Sequence, residues 1–329
     1  MTNAIRGLSA ALVAILGLAG PVAAQEKFPS RPIKILVPYA PGGATDIVAR
    51  VVAEDMRQKL GQNVFVENKP GAFGIVALEE VARAKPDGYT LMIGNVSTNQ
   101  ITPIIYKKKM SFDYDATIIP VNRLADLPAF LITTTKNFPP KTVAEFVAYA
   151  KQHKGDLKYA TVGVGSFPHY DMIMLSKKAG LDMIDVPMKG GASEMVTNLA
   201  SGEVQSAFMN VATSAQLIHT GDLRPLAVAS SKRLPDYPDV PTMAELGYPG
   251  IGTEQWQVLF ARAGTPKQVL DVLYKASTAA LESDQAKKIF APQYIRPIPS
   301  QSPAEAAVWI KDDAKHWQEI VRTADLKLE

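Results

Sequence analysis

Ile33 to Val37 is a short, mostly apolar run that proline closes at Pro38 and again at Pro41. Such a run reads as a covered parallel strand. Proline ends it because it has no N–H to give to a ladder. Gly42 and Gly43 follow; they tolerate positive φ and leave backbone N–H groups bare. Thr45-Asp46 then opens the pattern Ile47, Val48, Val51, Val52, Met56, Leu60, which has helical spacing. A strand delivered through a glycine turn into a helix N-terminus restricts the chain to α/β folds with helices packed on a mostly parallel sheet. That N-terminus is also a ready anion site, because its first N–H groups have no intrahelical partner and the dipole is positive there. The turn from Tyr39 through Pro41, Gly42, Gly43, Ala44, Thr45 and Asp46 is therefore either a carboxylate cradle or a plain connection.

The alternation continues. Val64 to Glu67 reads as a strand, Ile75, Leu78, Val81 and Ala82 as one helix face, and Thr90 to Ile93 as a third strand. This βαβαβ order predicts a parallel sheet with helices on both faces. Ligands of such sheets bind beyond the carboxyl ends of the strands. Asn95 and Ser97 lie at one such end, and the opening turn at another. Residues 100–124 look less regular. The run Lys107 to Lys109 reads as a solvated face. Asp126-Leu127-Pro128 breaks the chain before a strong strand at Ala129 to Thr134, a candidate crossing into a second unit.

The second half repeats the order. Thr142 and Glu145 have capping-box spacing, with Val143, Phe146, Val147 and Ala150 as the apolar face behind them. Strands are expected at 157–161, 183–188, 204–209 and 226–229. Gly165-Ser166 and Lys189-Gly190 are glycine turns at strand ends. The Pro- and Gly-rich stretch 232–252 suits a return to the first unit, followed by a strand at 255–260. Helices are expected from Thr265-Pro266, with proline at the first position, and from Ser302, where Trp309 and Trp317 read as core anchors. The resulting division is 25–125 plus 246–329 for lobe 1 and 126–245 for lobe 2.

Residues 1–24 stand apart. Arg6 is their only charge, Leu8 to Ala19 is apolar and small, and Val22-Ala23-Ala24 fits a cleavage site before Gln25. This reads as a signal peptide directing export to the periplasm. No later stretch approaches the ~20 apolar residues that a membrane span needs. The full chain carries a net charge of +3, and the leader takes one positive charge with it. So small an excess argues against a nucleic-acid partner. There is no cysteine, which excludes disulfides, thiolate chemistry and cysteine-based zinc sites.

Nothing in the sequence specifies catalysis. The four histidines have no partner at metal-ligand spacing, and no metal or cofactor is expected. Gly163-Val164-Gly165 begins like a dinucleotide fingerprint, but Pro168 breaks it. Ser166 and His169 are three residues apart at a helix start. A secreted α/β hydrolase using that pair is the alternative from another class, although a dyad needs an orienting carboxylate and an oxyanion hole. A serine cap beside a polar helix residue is the plainer reading.

The chain resembles the substrate-binding receptors of tripartite tricarboxylate transporters, the Bug receptors. The matching segments include Pro41-Gly42-Gly43-Ala44-Thr45-Asp46-Ile47-Val48-Ala49-Arg50, Val66-Glu67-Asn68-Lys69-Pro70-Gly71-Ala72, Lys85-Pro86-Asp87-Gly88-Tyr89-Thr90-Leu91, Gly165-Ser166-Phe167-Pro168-His169, Pro238-Asp239-Val240-Pro241-Thr242 and Ala263-Gly264-Thr265-Pro266. They run in order from about Phe28 onward. The resemblance implies a type II, two-lobed periplasmic binding protein with two chain crossings. It implies that the lobes close on a small organic acid and deliver it to an integral-membrane transporter. A monomer is expected; a ligand-loaded sensor partner of a membrane kinase is a further possibility. In the family, the loop equivalent to Tyr39–Asp46 binds one ligand carboxylate, and the loop equivalent to Gly165-Ser166 contributes from the other lobe. The family often has an acid where this chain has Met209, before Asn210, and tyrosine where it has Met188, before Lys189. An acid there can pair with a ligand ammonium. Its replacement points to a dicarboxylate or aromatic acid rather than an amino acid, if Met188 and Met209 line the cleft rather than the core.

Overall fold

The computed structural model describes residues 28–324. The leader read at 1–24 lies outside the described residues. Two mixed sheets form, flanked by helices. The strands are β1 (Ile33–Val37), β2 (Val64–Asn68), β3 (Thr90–Asn95), β4 (Ile118–Leu127), β5 (Ala129–Thr134), β6 (Lys158–Thr161), β7 (Ile184–Pro187), β8 (Ser206–Asn210), β9 (Leu223–Ala229), β10 (Gln255–Arg262) and β11 (Arg296–Pro297). The first sheet has the order β11-β4-β10-β3-β1-β2 and the second β7-β6-β8-β5-β9. The longer helices are α1 (Ala44–Leu60), α2 (Ile75–Arg83), α3 (Val143–Gln152), α4 (Phe167–Ala179), α5 (Ala192–Ser201), α6 (Val211–His219), α7 (Lys267–Leu281) and α8 (Pro303–Ala324).

The parallel part of each sheet is the one that strand–helix alternation dictates: β1 with β2 and β3, and β6 with β7 and β8. The antiparallel part comes from the strands that carry the chain across. β4 pairs antiparallel with β10 in the first sheet, and β5 antiparallel with β8 and β9 in the second. Only Pro128 separates β4 from β5, so the two are nearly one strand shared by both sheets.

Local chemistry sets the helix ends. Gly61 closes α1 in the left-handed conformation at φ 64°, where a side chain would be penalised. Thr142 caps α3, its hydroxyl accepting from the Glu145 N–H at 3.1 Å. The Glu145 carboxylate returns to the N–H of Lys141, one residue before the cap. The 100–124 stretch is more ordered than its sequence suggests. Ser97–Ile101 forms a π-helical turn that runs into a helical turn at Thr102–Ile105, and β4 follows.

One apolar core joins the sheets, with Leu36 and Met92 from the first and Leu131 and Phe208 from the second. Helix α8 seals it from both sides. Trp317 packs edge-on against Tyr170 of α4 at 6.2 Å, and Arg123 of β4 lies over Trp309 at 4.1 Å. At the return crossing, Asp171 of α4 accepts from the N–H and hydroxyl of Thr253, both at 2.8 Å.

Two consequences can be measured. Phe146 is wholly buried on α3, so Phe146→Ala is expected to cost about 3–5 kcal/mol in urea unfolding. Burial pushes the Asp171 carboxyl up to about 7, against the lowering effect of its Thr253 hydrogen bonds. The folded state thus holds a proton that the unfolded chain releases near pH 4. Stability should fall as pH rises from about 4 to about 7 and level off above. Asp171→Asn is expected to flatten that part of the pH–stability curve.

Candidate functional site

The carboxyl ends of β1, β3, β6, β7 and β8 face one another across a cleft between the lobes. The inner compartment has about 630 Å3 of space free of atoms and the outer about 1180 Å3, open solvent at the mouth included; Tyr39, Ala40, Ser97, Val162 and Gly191 border both. Each parallel strand hands the chain to a helix at this end, so helix N-termini collect here. Gly43 caps α1, Ser166 α4, Gly191 α5 and Asn210 α6. The α1 and α5 starts oppose each other closely: a Cβ on Gly42 would lie 3.9 Å from Ser193 Oγ. First-turn N–H groups have no intrahelical acceptor. Among the described residues, those of Ala44 and Thr45 have no other protein acceptor.

Asp46 shapes the first turn rather than facing the cleft. Its carboxylate accepts from the Gly42 N–H at 3.0 Å, from Arg50 Nε at 2.9 Å and from Asn68 Nδ2 at 2.9 Å. Burial would raise its pKa, but those three donors outweigh burial and hold the carboxyl below its usual range. The Gly42 N–H is thereby consumed, φ of 90° at Gly42 turns the chain into α1, and Gly43, Ala44 and Thr45 line the inner compartment. Asn95 ties the neighbouring strand end to this turn. Its Oδ1 accepts from Tyr39 OH at 2.8 Å and from the Ser97 N–H at 3.0 Å, and its Nδ2 donates to Thr45 Oγ1 at 3.1 Å. Burial pushes the Tyr39 hydroxyl up to about 12, so it stays a neutral donor.

From the second lobe, Ser166 Oγ donates to Gly163 O at 2.7 Å and makes no side-chain cap bond. His169 Nδ1 accepts from the Gly165 N–H at 3.3 Å, and its Nε2 faces Asp185 Oδ2 at 3.6 Å. Burial lowers the histidine pKa, with Asp185 pulling the other way. The imidazole therefore fixes the Gly165 loop and does not contact Ser166 Oγ. No serine nucleophile is set up. The N–H of Phe167 donates to Ser97 Oγ across the cleft at 3.1 Å, bonding one lobe to the other.

Of the residues singled out in the sequence, Tyr39, Gly43, Ala44, Thr45, Asn95, Ser97, Gly190, Met209 and Asn210 line the inner compartment. Gly165, Ser166 and Lys189 line the outer. Pro41, Gly42, Asp46 and His169 border neither; Asp46 holds the Gly42 turn and His169 the Gly165 N–H beside the residues that do. Met209 and Met188 belong to the second lobe's core, and each also walls a compartment. Sequence reasoning missed Ser193, Thr213 and Gln255. The first two follow helix starts after β7 and β8, a signal that strand-end logic could have used. Gln255 is more than forty positions from Asn210, yet its Oε1 accepts from Asn210 Nδ2 at 2.8 Å, and nothing local announces it.

Two α/β lobes around a cleft ringed by helix N-termini make the architecture of a periplasmic solute-binding protein. A family model described as the tripartite tricarboxylate transporter family receptor matches residues 48–326, and the chain belongs to that family. It is similar to protein BugT of Bordetella pertussis, 32% identical with 96% of each chain covered. Among solved structures it is similar to an R. palustris protein with adipate, at 31% identity, TM-score 0.84, and 90% and 98% of the two chains. It is likewise similar to MatC of Rhodopseudomonas palustris with bound malate, at 30% identity, TM-score 0.82, and 89% and 100%. The chain is thus a solute-binding receptor and not a hydrolase.

Asp46→Asn tests the turn. A carboxylate held below its unfolded pKa contributes stability above that pKa, near 4, which is lost as pH falls through the folded value. The variant should lose this acid-limb slope. It should also bind ligand about fivefold more weakly, as expected for about 1 kcal/mol of lost hydrogen bonding, measured by calorimetric titration.

Proposed function

We propose that this receptor captures a small organic carboxylate in the inner compartment, as an exported monomer in the periplasm, and delivers it to the integral-membrane subunits of a tripartite tricarboxylate-type transporter. The lobes, 25–125 with 246–329 and 126–245, close on the ligand about the two crossings. One observation carries the reading: the inner compartment is lined by helix N-termini and, among the described residues, by no formally charged side chain. Backbone N–H groups in a site that excludes water make charge-assisted bonds to a carboxylate, and helix dipoles add to them. The malate and adipate in the two R. palustris neighbours are ligands of the same chemistry.

The ligand is a dicarboxylate or an aromatic acid rather than an amino acid. An ammonium buried in this compartment would have no acid to pair with, and an unpaired buried charge is costly. Met209, 2% exposed, occupies the wall where an acid would serve. Ligand binding favours the closed arrangement by its preference for that state.

Calorimetric titration with malate, adipate, benzoate, aspartate and glutamate tests this directly. Dicarboxylates or the aromatic acid should give saturable heats, and the two amino acids none at matched concentration. Tight aspartate or glutamate binding with no response to the others would sink the proposal. Met209→Asp should shift preference toward amino acids and lower the unliganded melting temperature, because the new carboxylate is buried without a partner.

A further inference from the structure

The outer compartment is larger than the inner and differs in chemistry. Its walls include Phe73, Pro187, Met188 and Val164, and among the described residues Lys189 is the sole formal charge along either compartment. Lys189 is exposed and makes no ion pair among the described residues. Phe73 is placed at a conformational cost. It and Ala72 both sit at positive φ, 57° and 45°, where side chains are disfavoured and which persist only when the surroundings enforce them. Thr102 Oγ1 donates to Phe73 O at 2.8 Å, and the ring stacks on Tyr106 at 4.7 Å. From there it reaches the other lobe, where a Cβ on Gly163 would fall 2.8 Å from the ring. The glycines of Gly163-Val164-Gly165, which suggested a broken nucleotide fingerprint, thus make room for lobe 1. A Cβ on Gly165 would likewise strike Ile105. Even so, Phe73 keeps 44% of its surface exposed, turned to a compartment that has a cation and no anion.

We infer that the outer compartment is a second subsite for the body and far carboxylate of an elongated dicarboxylate, with an apolar spacer against Phe73 and Met188 and the distal carboxylate on Lys189. This rests on the carboxylate reading of the inner compartment. One carboxylate takes the helix N-termini, the apolar walls exclude water from the spacer, and the lysine supplies the charge that the backbone cannot offer at the rim. A short diacid satisfies the first group and leaves Lys189 unpaired. A long monoacid covers the walls but also leaves Lys189 unpaired.

A ladder of straight-chain dicarboxylates from four to ten carbons, each with its matched monocarboxylate, is titrated into the wild-type protein, Lys189→Met and Phe73→Ala. Wild-type affinity should rise beyond four carbons. At the best length the diacid should exceed its monoacid by about three- to tenfold, between an exposed ion pair and one desolvated by closure. In Lys189→Met that gap should collapse while the four-carbon diacid binds as before. In Phe73→Ala the longer members should weaken more than the four-carbon one. The inference is overturned if the four-carbon diacid binds as tightly as any longer one, or if the gap survives in Lys189→Met. Failure of every carboxylate to bind would overturn the inner-compartment reading itself, and this subsite with it.

Discussion

Unpaired first-turn N–H groups are the constraint on which the rest depends. Parallel strands deliver helices whose N-termini all emerge at the same sheet edge. Here four such termini, at Gly43, Ser166, Gly191 and Asn210, face a single cleft. Their dipoles point positive ends toward one another, an arrangement that an anion between them relieves. The surrounding residues manage that cost. Asp46 absorbs the Gly42 N–H, while among the described residues those of Ala44 and Thr45 have no protein acceptor. Asn95 locks Tyr39, Ser97 and Thr45 into one network. His169 takes the Gly165 N–H on the other side. Asp46 and His169, which border neither compartment, therefore help to decide which donors the cleft presents.

The two lobes are not independent bodies joined by string. β4 and β5 are nearly continuous, one core cluster spans both sheets, and α8 packs against β4 of the first and α4 beside the second. Any opening must be borne by a few elements: Pro128, the return segment held by Asp171, and the Ser97–Phe167 hydrogen bond. Motion that concentrates at element ends while packed units stay rigid is hinge-like.

Much of this was legible in the sequence, and the failures have physical causes. The β1–turn–α1 unit was readable because its apolar periods are clean and its glycines necessary. β4 was not, although it spans ten residues, because Pro120, Asn122, Arg123 and Asp126 interrupt its apolar pattern. Asn122 finds its partners far away, on Ser277 and Thr278, while Arg123 pairs with Asp126 three residues on and lies over the distant Trp309 ring. Sequence periodicity cannot register a polar residue that is satisfied more than 150 positions downstream. The same limit hid Gln255. Ser166 and His169 raised the opposite problem, since a suggestive spacing dissolved once Ser166 Oγ was found on Gly163 O. Met188 and Met209 posed a choice between core and cleft that the fold does not enforce, because a residue on a cleft wall is also the outermost layer of a core.

The donors proposed to anchor the ligand, at Gly43, Ala44 and Thr45, are main-chain groups, and that has an evolutionary consequence. An anchor built from backbone has no side chain to lose. Point mutation can rewrite Met188, Lys189, Met209 or Asn210 while the N–H groups stay where the strand and glycine turn put them. Such a scaffold can explore new cargoes one wall residue at a time without passing through an intermediate that has forgotten how to hold an acid.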